Sequence, residues 1–388
     1  VTLGYAGISI VFYGEATRWL GVWVVLLYLA MAVPLRVVAH EVITGTRFRV
    51  LCVGAGNSIR QLVWLLSRDK RPQYEVVGHV LAPSNTPAIE QARRHSDARL
   101  DDYAPRIEPA TFERECPCLG STDDIAEIVR KERIDEVIVD SELAADAAVG
   151  AAVMFCLDSQ RRVTDQPTFV EKMLGEVPVS HVTPQWFMLA DMQTGGSYVA
   201  VKRMIDIAAS LVGLALTLPF WPVIMLAIRL NSCGAAIFKQ RRVGLNGRCF
   251  EILKFRTMRM DAERDGAQWA SSHDARVTGL GRFLRKSRID EIPQLWNILR
   301  GDMSLVGPRP ERPEFVEQLC ELIPHYRHRQ LVTPGLTGWA QIRYGYGASV
   351  ADAHRKLCFD LYYLKHRSAD LDVAIIFRTI GTFLTGAR

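Results

Sequence analysis

The sequence predicts an α/β membrane protein in three parts: an N-terminal transmembrane helix, a Rossmann-like doubly wound middle domain, and a mainly helical C-terminal domain with a re-entrant membrane helix. Three observations predict it. An uninterrupted apolar run, Trp19 to Leu35, lies near the start. Strand-like and helix-like segments alternate from Phe48 to Asp140. A second apolar stretch, Met204 to Leu230, is broken by Pro219 and Pro222. The 388 residues suffice for two or three domains. The expected boundaries are 1–45, 46–195 and 200–388, with the re-entrant helix at about 203–230.

The first run is bounded by Arg18 and Arg36 and, with its flanks, is long enough to span a bilayer as a helix. Arg36, Arg47 and Arg49 follow it, which puts its C-terminal end in the cytoplasm. Gly7 to Tyr13 is apolar but short, and reads as part of a preceding helix. The start lacks a basic n-region and a small-residue cleavage site, so no signal peptide is expected.

In the middle region, Phe48–Gly54 reads as a buried strand running into Gly54-Ala-Gly56-Asn-Ser and an apolar helix, Ile59–Leu66. Tyr74–Leu81 and Ile134–Asp140 are further strands, and Thr122–Arg133 a helix with Thr122 or Asp123 as N-cap. Such alternation implies a parallel, doubly wound sheet. The glycine pattern is incomplete, because Ile59 stands where a dinucleotide fingerprint wants its third glycine. A structural or regulatory domain is therefore expected rather than a working NAD site.

The third region opens with Lys202-Arg203. Its apolar stretch is long enough to cross a membrane, but each Pro removes a backbone donor and clashes with the preceding turn. Basic residues lie at both ends, Lys202-Arg203 and Arg229. Charge bias therefore keeps both ends in the cytoplasm. A kinked helix that returns to the side it entered satisfies both facts.

Composition narrows the chemistry. A hydrophobic content of 49% and a mean hydropathy of +0.06 are within reach of a soluble protein, so distribution decides. Net charge is only +5, yet Lys239 to Arg259 holds seven Lys/Arg and one acid, Glu251. That stretch suits phosphates or an anionic membrane surface, and a solvated basic face is the plain alternative. The eight Cys follow no metal spacing and read as reduced thiols; the nine His form no H-E-x-x-H.

Phe250–Met258 reads as a strand exposing Lys254 and Arg256, and Asp261–Asp274 as a mobile polar loop. Then comes Asp290-Glu291-Ile-Pro293, followed by helical apolar spacing from Gln294 to Leu299. Pro favours a first helical turn, so both acids sit at a helix N-terminus, where ionised carboxylates are stabilised. Such a pair can hold Mg²⁺ together with substrate phosphates, and an Asp carboxylate can attack phosphorus. An ordinary cap with a solvated Glu is the alternative. Arg285 and Arg288 precede the pair, and Pro308-Arg309-Pro310 follows; prolines on both sides restrict Arg309, which suits bidentate phosphate recognition.

From Lys202 to about Phe383 the sequence resembles the bacterial sugar transferases, the monotopic polyprenyl-phosphate phosphoglycosyl transferases. The motifs stand in family order. They are Lys202-Arg203-x-x-Asp206 before the hairpin with Pro219, Lys254-Phe-Arg-Thr-Met258, and Arg285-x-x-x-x-Asp290-Glu291-x-Pro-Gln-Leu-x-Asn297. Gly301-Asp-Met-Ser-Leu-Val-Gly-Pro-Arg-Pro310, Pro334-Gly-Leu-Thr-Gly-Trp-Ala-Gln341 and Asp360-Leu-Tyr-Tyr-Leu-Lys365 follow. Gly345-Tyr-Gly-Ala-Ser349 looks like members from exopolysaccharide clusters.

The resemblance implies that Asp290 attacks the β-phosphate of a UDP-sugar, that UMP leaves, and that the sugar phosphate passes to undecaprenyl phosphate. It implies Mg²⁺ at Asp290 and Glu291, with phosphate or nucleotide held by Arg285 and Arg309, and by Lys254 and Arg256 from the basic strand. Glucose or galactose is the expected sugar. The expected setting is the cytoplasmic face of a bacterial inner membrane, with membrane lipids and a second copy as partners and no nucleic acid. Two departures stand out. Arg241 replaces a Glu that the family often has, so no role for that Glu carries over. Larger members carry several N-terminal spanning helices, so a truncated start is expected.

Two stretches, Glu314–Ile323 and Lys356–Lys365, mix apolar and charged residues; they suit either the headgroup layer or a soluble core. Two other functions remain as alternatives. A membrane-tethered NAD-dependent sugar-nucleotide dehydratase or epimerase lacks its Tyr-x-x-x-Lys pair here, and a non-catalytic assembly scaffold does not need Asp290, Glu291, Arg285 and Arg309 together.

Overall fold

A computed structural model of the chain describes residues 47–67, 74–82, 109–143, 146–179, 182–189, 196–260, 262, 274–345, 347 and 349–385. The expected helix at Trp19–Leu35, the segment Gly7–Tyr13 and nearly all of the polar stretch 261–274 lie outside the described residues. The chain divides into two compact units, one ending at Gln166 and one taking in Pro167–Arg388.

The first unit runs β1 (Phe48–Val53), α1 (Asn57–Ser67), β2 (Tyr74–Leu81), α2 (Pro109–Glu115), β3 (Cys118–Ser121), α3 (Ile125–Lys131), β4 (Glu136–Val139), α4 (Ala147–Asp158) and β5 (Arg162–Asp165). The five strands form a parallel sheet in the order β3-β2-β1-β4-β5. This is the Rossmann-like sheet that the alternation predicts. A parallel sheet is covered on both faces, which is why β1 reads as a continuous apolar run; Val50, Leu51, Cys52 and Val53 are fully buried. The segment Thr122–Arg133 corrects one expectation. Its N-cap is Ser121, whose hydroxyl accepts from Asp123 N while Asp124 accepts from Ser121 N, a capping box around a 3₁₀ turn that leads into α3.

The second unit runs α5 (Gln166–Leu174), α6 (Pro184–Leu189), α7 (Gly196–Thr217), α8 (Trp221–Asn231), β6 (Ile237–Val243), β7 (Cys249–Phe255), α9 (Gly279–Lys286), α10 (Gln294–Arg300), β8 (Ser304–Val306), α11 (Pro313–Leu322), β9 (Gly335–Thr337), α12 (Trp339–Arg343), α13 (Val350–His366) and α14 (Ala369–Thr385). Of the described residues it takes in 167–179 and 182–189, which lie in the span expected for the middle domain. Val177, Val179 and Val182 pack into this unit's core, and Lys365 Nζ lies 2.8 Å from Glu171. Helix α13 belongs to the same core, with Leu357, Leu361, Tyr363 and Leu364 buried. Of the two readings of Lys356–Lys365, the soluble core therefore holds.

Gly196–Asn231 is long and apolar enough to cross a membrane, and little of it is buried within the chain. A 3₁₀ turn, Leu218–Phe220, separates α7 from α8 where Pro219 and Pro222 break the helical hydrogen bonding. Both limbs dock on the same unit. In α7, Arg203 donates to the Ile298 and Leu299 carbonyls at 2.6 and 2.7 Å, at the negative end of α10. Asp206 accepts from Leu305 N at 2.9 Å, and Lys202 pairs with Asp372 at 2.7 Å. In α8, Trp221 packs edge-on against Phe255, and Ile228 is buried beside it. Helix α10 and β7 are themselves joined, because Asn297 accepts from Leu253 N and donates to the Glu251 carbonyl. The motif Lys202-Arg203-x-x-Asp206 thus fixes α7 to the rest of the unit.

Candidate active site

Asp290 and Glu291 lie in a 3₁₀ turn, Ile289–Glu291, between α9 and α10. Arg288 enters it with a left-handed φ of 55°, and Pro293 caps α10. The turn buries both acids, to 7% and 8% exposure. This removes the alternative of a solvated Glu.

The two carboxylates have opposite surroundings. Glu291 Oε1 accepts from Lys254 Nζ at 3.2 Å and from Arg309 Nη2 at 3.0 Å; its Oε2 faces Arg288 at 3.4 Å. Burial works against its charge, but Arg309, Lys254 and Arg288 outweigh burial and hold the carboxyl well below the usual range. Asp290 Oδ1 is buried and without a partner among the described residues. Burial, then the charge on Glu291, pushes Asp290 up to about 6 against the pull of Lys254, Arg285 and Arg309. The two acids, read as a pair at a helix start, are thus held unequally. Desolvation exceeds the influence of a helix end here, and one acid takes the cations.

Lys254 sits on β7, and its amine is not exposed as the strand reading expected: burial lowers its pKa while Glu291 supports its charge. Arg309 is raised by Glu291. Arg285 donates from Nε to Thr257 Oγ1 at 2.9 Å, which turns the guanidinium towards the pair's field. Arg256 goes elsewhere. It follows the end of β7, is 7% exposed, and donates to the Ser232 carbonyl behind α8 and to Met260 Sδ. The structure therefore gathers Asp290, Glu291, Lys254, Arg309 and Arg285, and leaves Arg256 as an anchor of the hairpin.

A family model described as bacterial sugar transferase matches residues 197–386. The exopolysaccharide production protein PSS of Rhizobium leguminosarum bv. phaseoli is 38% identical over 196 residues, which are 49% of this chain and 98% of that protein. The chain belongs to the bacterial sugar transferase family. Two further relatives are longer. The UDP-N-acetylgalactosamine-undecaprenyl-phosphate N-acetylgalactosaminephosphotransferase of Aeromonas hydrophila is 44% identical over 216 residues, 56% of this chain and 51% of the relative. The UDP-glucose:undecaprenyl-phosphate glucose-1-phosphate transferase of Xanthomonas campestris pv. campestris is 28% identical over 342 residues, 85% of this chain and 65% of the relative. The chain thus spans about half the length of the Aeromonas relative. A second model, described as a CoA-binding domain, matches residues 2–163.

Sequence reasoning missed the supports behind the acid pair. Arg329 donates to the Arg309 carbonyl at 3.0 Å and pairs with Asp360 at 2.7 Å, both side chains being buried. Asp360 stands in the quoted Asp-Leu-Tyr-Tyr-Leu-Lys stretch, but Arg329 lies outside every motif. Of this pair the oxygen open to a cation is Asp290 Oδ1, because Glu291 is turned to Lys254, Arg309 and Arg288; no group of three or more His, Cys, Asp or Glu side chains placed to hold a metal occurs among the described residues.

Proposed function

We propose that the chain transfers a sugar 1-phosphate from a UDP-sugar to undecaprenyl phosphate, releasing UMP, as the initiating step of exopolysaccharide or capsule synthesis. The observation that carries this reading is the buried, unpartnered Asp290 oxygen beside cations that a second acid holds in place. An ionised Asp290 attacks the β-phosphorus. A P–O bond to Asp290 forms, the bond from that phosphorus to the bridging oxygen breaks, and UMP leaves with the electron pair. An oxygen of undecaprenyl phosphate then attacks the same phosphorus. The bond to Asp290 breaks, its carboxylate is restored, and a lipid-linked pyrophosphoryl sugar departs.

Arg309, Arg285 and Lys254 offset the charge on the phosphoryl oxygens, and fixed cations in a dry site need no reorganisation during reaction. Glu291 keeps Lys254 and Arg309 in register. Asp290 Oδ1, with Glu291 beside it, would hold a Mg²⁺ together with substrate phosphates, and the ion would supply further charge neutralisation.

The apolar hairpin α7–α8 enters the membrane and returns to the cytoplasmic face of the inner membrane. Docking of both limbs on one unit and basic residues at both ends support this. The donor sugar is glucose or galactose, and the working enzyme a homodimer. The test uses membranes, Mg²⁺ and a panel of UDP-sugars that includes UDP-N-acetylgalactosamine, with and without undecaprenyl phosphate. UMP release that needs both the lipid and Asp290 supports the reading; UDP release overturns it.

A further inference from the structure

In doubly wound sheets a nucleotide ligand places its phosphates at the carboxyl end of the first strand, against a glycine loop and the helix that follows. That position here is the loop Gly54-Ala55-Gly56 between β1 and α1, at the point where strand order reverses between β1 and β4. The match to a model described as a CoA-binding domain, residues 2–163, includes this loop.

The loop already holds a buried carboxyl group. Asp140, the residue after β4, is 2% exposed. Its backbone N donates to the Val53 carbonyl at 3.0 Å, and its Oδ1 accepts from Ser58 Oγ at 2.9 Å. A Cβ added at Gly56 would lie 2.4 Å from Asp140 Oδ2, and one at Gly54 would lie 3.0 Å from Asp140 Cβ and 2.8 Å from Leu143. Both glycines therefore make room for the chain's own side chains. Arg60 Nε donates to the Ala55 carbonyl at 3.1 Å and ties the loop down. At the third fingerprint position, Ile59 is fully buried in the sheet's packing.

We infer that the Asp140 carboxylate takes the place of a ligand phosphate in this loop, so that the middle domain binds neither CoA nor a nicotinamide dinucleotide there. A pyrophosphate in the same place would overlap a buried carboxylate and repel it. Gly56 remains because the carboxylate needs the close approach, whereas Gly54 is also held to glycine by its φ of 107°. This also removes the ground for the dehydratase or epimerase alternative.

The test uses the full chain in nanodiscs. Equilibrium dialysis with CoA and with NAD⁺ is expected to show no saturable binding up to about 1 mM; saturable binding of either below that concentration overturns the inference. Gly56→Ala and Asp140→Ser are then made singly and together. Gly56→Ala is expected to lower the melting temperature by about 5 °C or more, and by less than about 2 °C in the Asp140→Ser background. If Gly56→Ala alone yields no folded protein, recovery of folded protein in the double variant is the expected result. Equal loss in both backgrounds overturns the inference, because the glycine would then serve something other than the carboxylate.

Discussion

Arg309 Nη2 lies 3.0 Å from Glu291 Oε1, on the same oxygen that Lys254 Nζ reaches at 3.2 Å. One buried carboxylate thus aligns two cations, from segments 18 and 37 residues away. Glu291→Gln would leave the largely buried Lys254 and the part-exposed Arg309 without the carboxylate they share. Removing one partner of a buried pair costs about 3–5 kcal/mol, and exposure of the Arg309 side chain reduces that figure here. The expected outcome is a lower melting temperature and a loss of UMP release of at least about 10²-fold. Unchanged turnover in Glu291→Gln would remove Glu291 from the site.

Asp290 gives the pH dependence. Its folded pKa of about 6 lies above the ordinary carboxylate value, and attack on phosphorus needs the ionised form. Single-turnover UMP release should therefore rise with pH through about 6 and level off above 7. The stability sign is opposite. Between about pH 4 and 6 the native state binds more protons than the unfolded chain, so stability falls as pH rises through that window. Asp290→Asn removes this penalty. It should abolish turnover while raising stability at pH 7 by about 1–3 kcal/mol, with the difference gone below about pH 4. Melting curves at both pH values check it.

These two acids mark the limit of what the sequence made legible. The turn was readable, because Pro293 and the apolar spacing after it announce a helix start. Their division of labour was not, because it depends on burial and on Lys254 and Arg309, distant in the chain. Likewise β1 was plain as an apolar run, whereas Asp140 reaches its loop across 82 residues, a pairing that no local pattern encodes. Arg256 was misplaced because strand alternation was carried past Phe255, where β7 ends. Helix α13 has charged residues in its pattern yet packs as core, since Asp360 is neutralised by Arg329 inside it.

That Arg329–Asp360 pair predicts an indirect effect. Arg329 holds the Arg309 carbonyl, so the pair sets where the Arg309 guanidinium stands. Asp360→Asn should lower stability by about 3–5 kcal/mol, as for any broken buried pair. Asp360→Asn with Arg329→Met, which removes both charges, should recover most of the stability but little of the turnover. Recovery of turnover along with stability would mean that the pair serves packing alone.

The hairpin makes the last prediction. Both limbs of α7–α8 rest on one unit, and the proposed return to the same membrane face fixes where the two ends of these 36 residues should be reached. Single Cys residues at Gly196 and Ser232, with exposed Cys118, Cys233 and Cys249 replaced by Ser, should both be labelled from the cytoplasmic side of sealed vesicles and neither from the outside. No atom of the described residues lies within 4 Å of a Cβ added at Gly196, which makes it a suitable probe position. Labelling of the two positions from opposite sides would show a span, and would place the acid pair and the base of α7 under a different membrane geometry. Replacing Pro219 and Pro222 by Ala should push the segment towards that span, because each Pro costs a helix interior about 3 kcal/mol. Loss of same-side labelling together with loss of UMP release in that variant would tie the kink to catalysis.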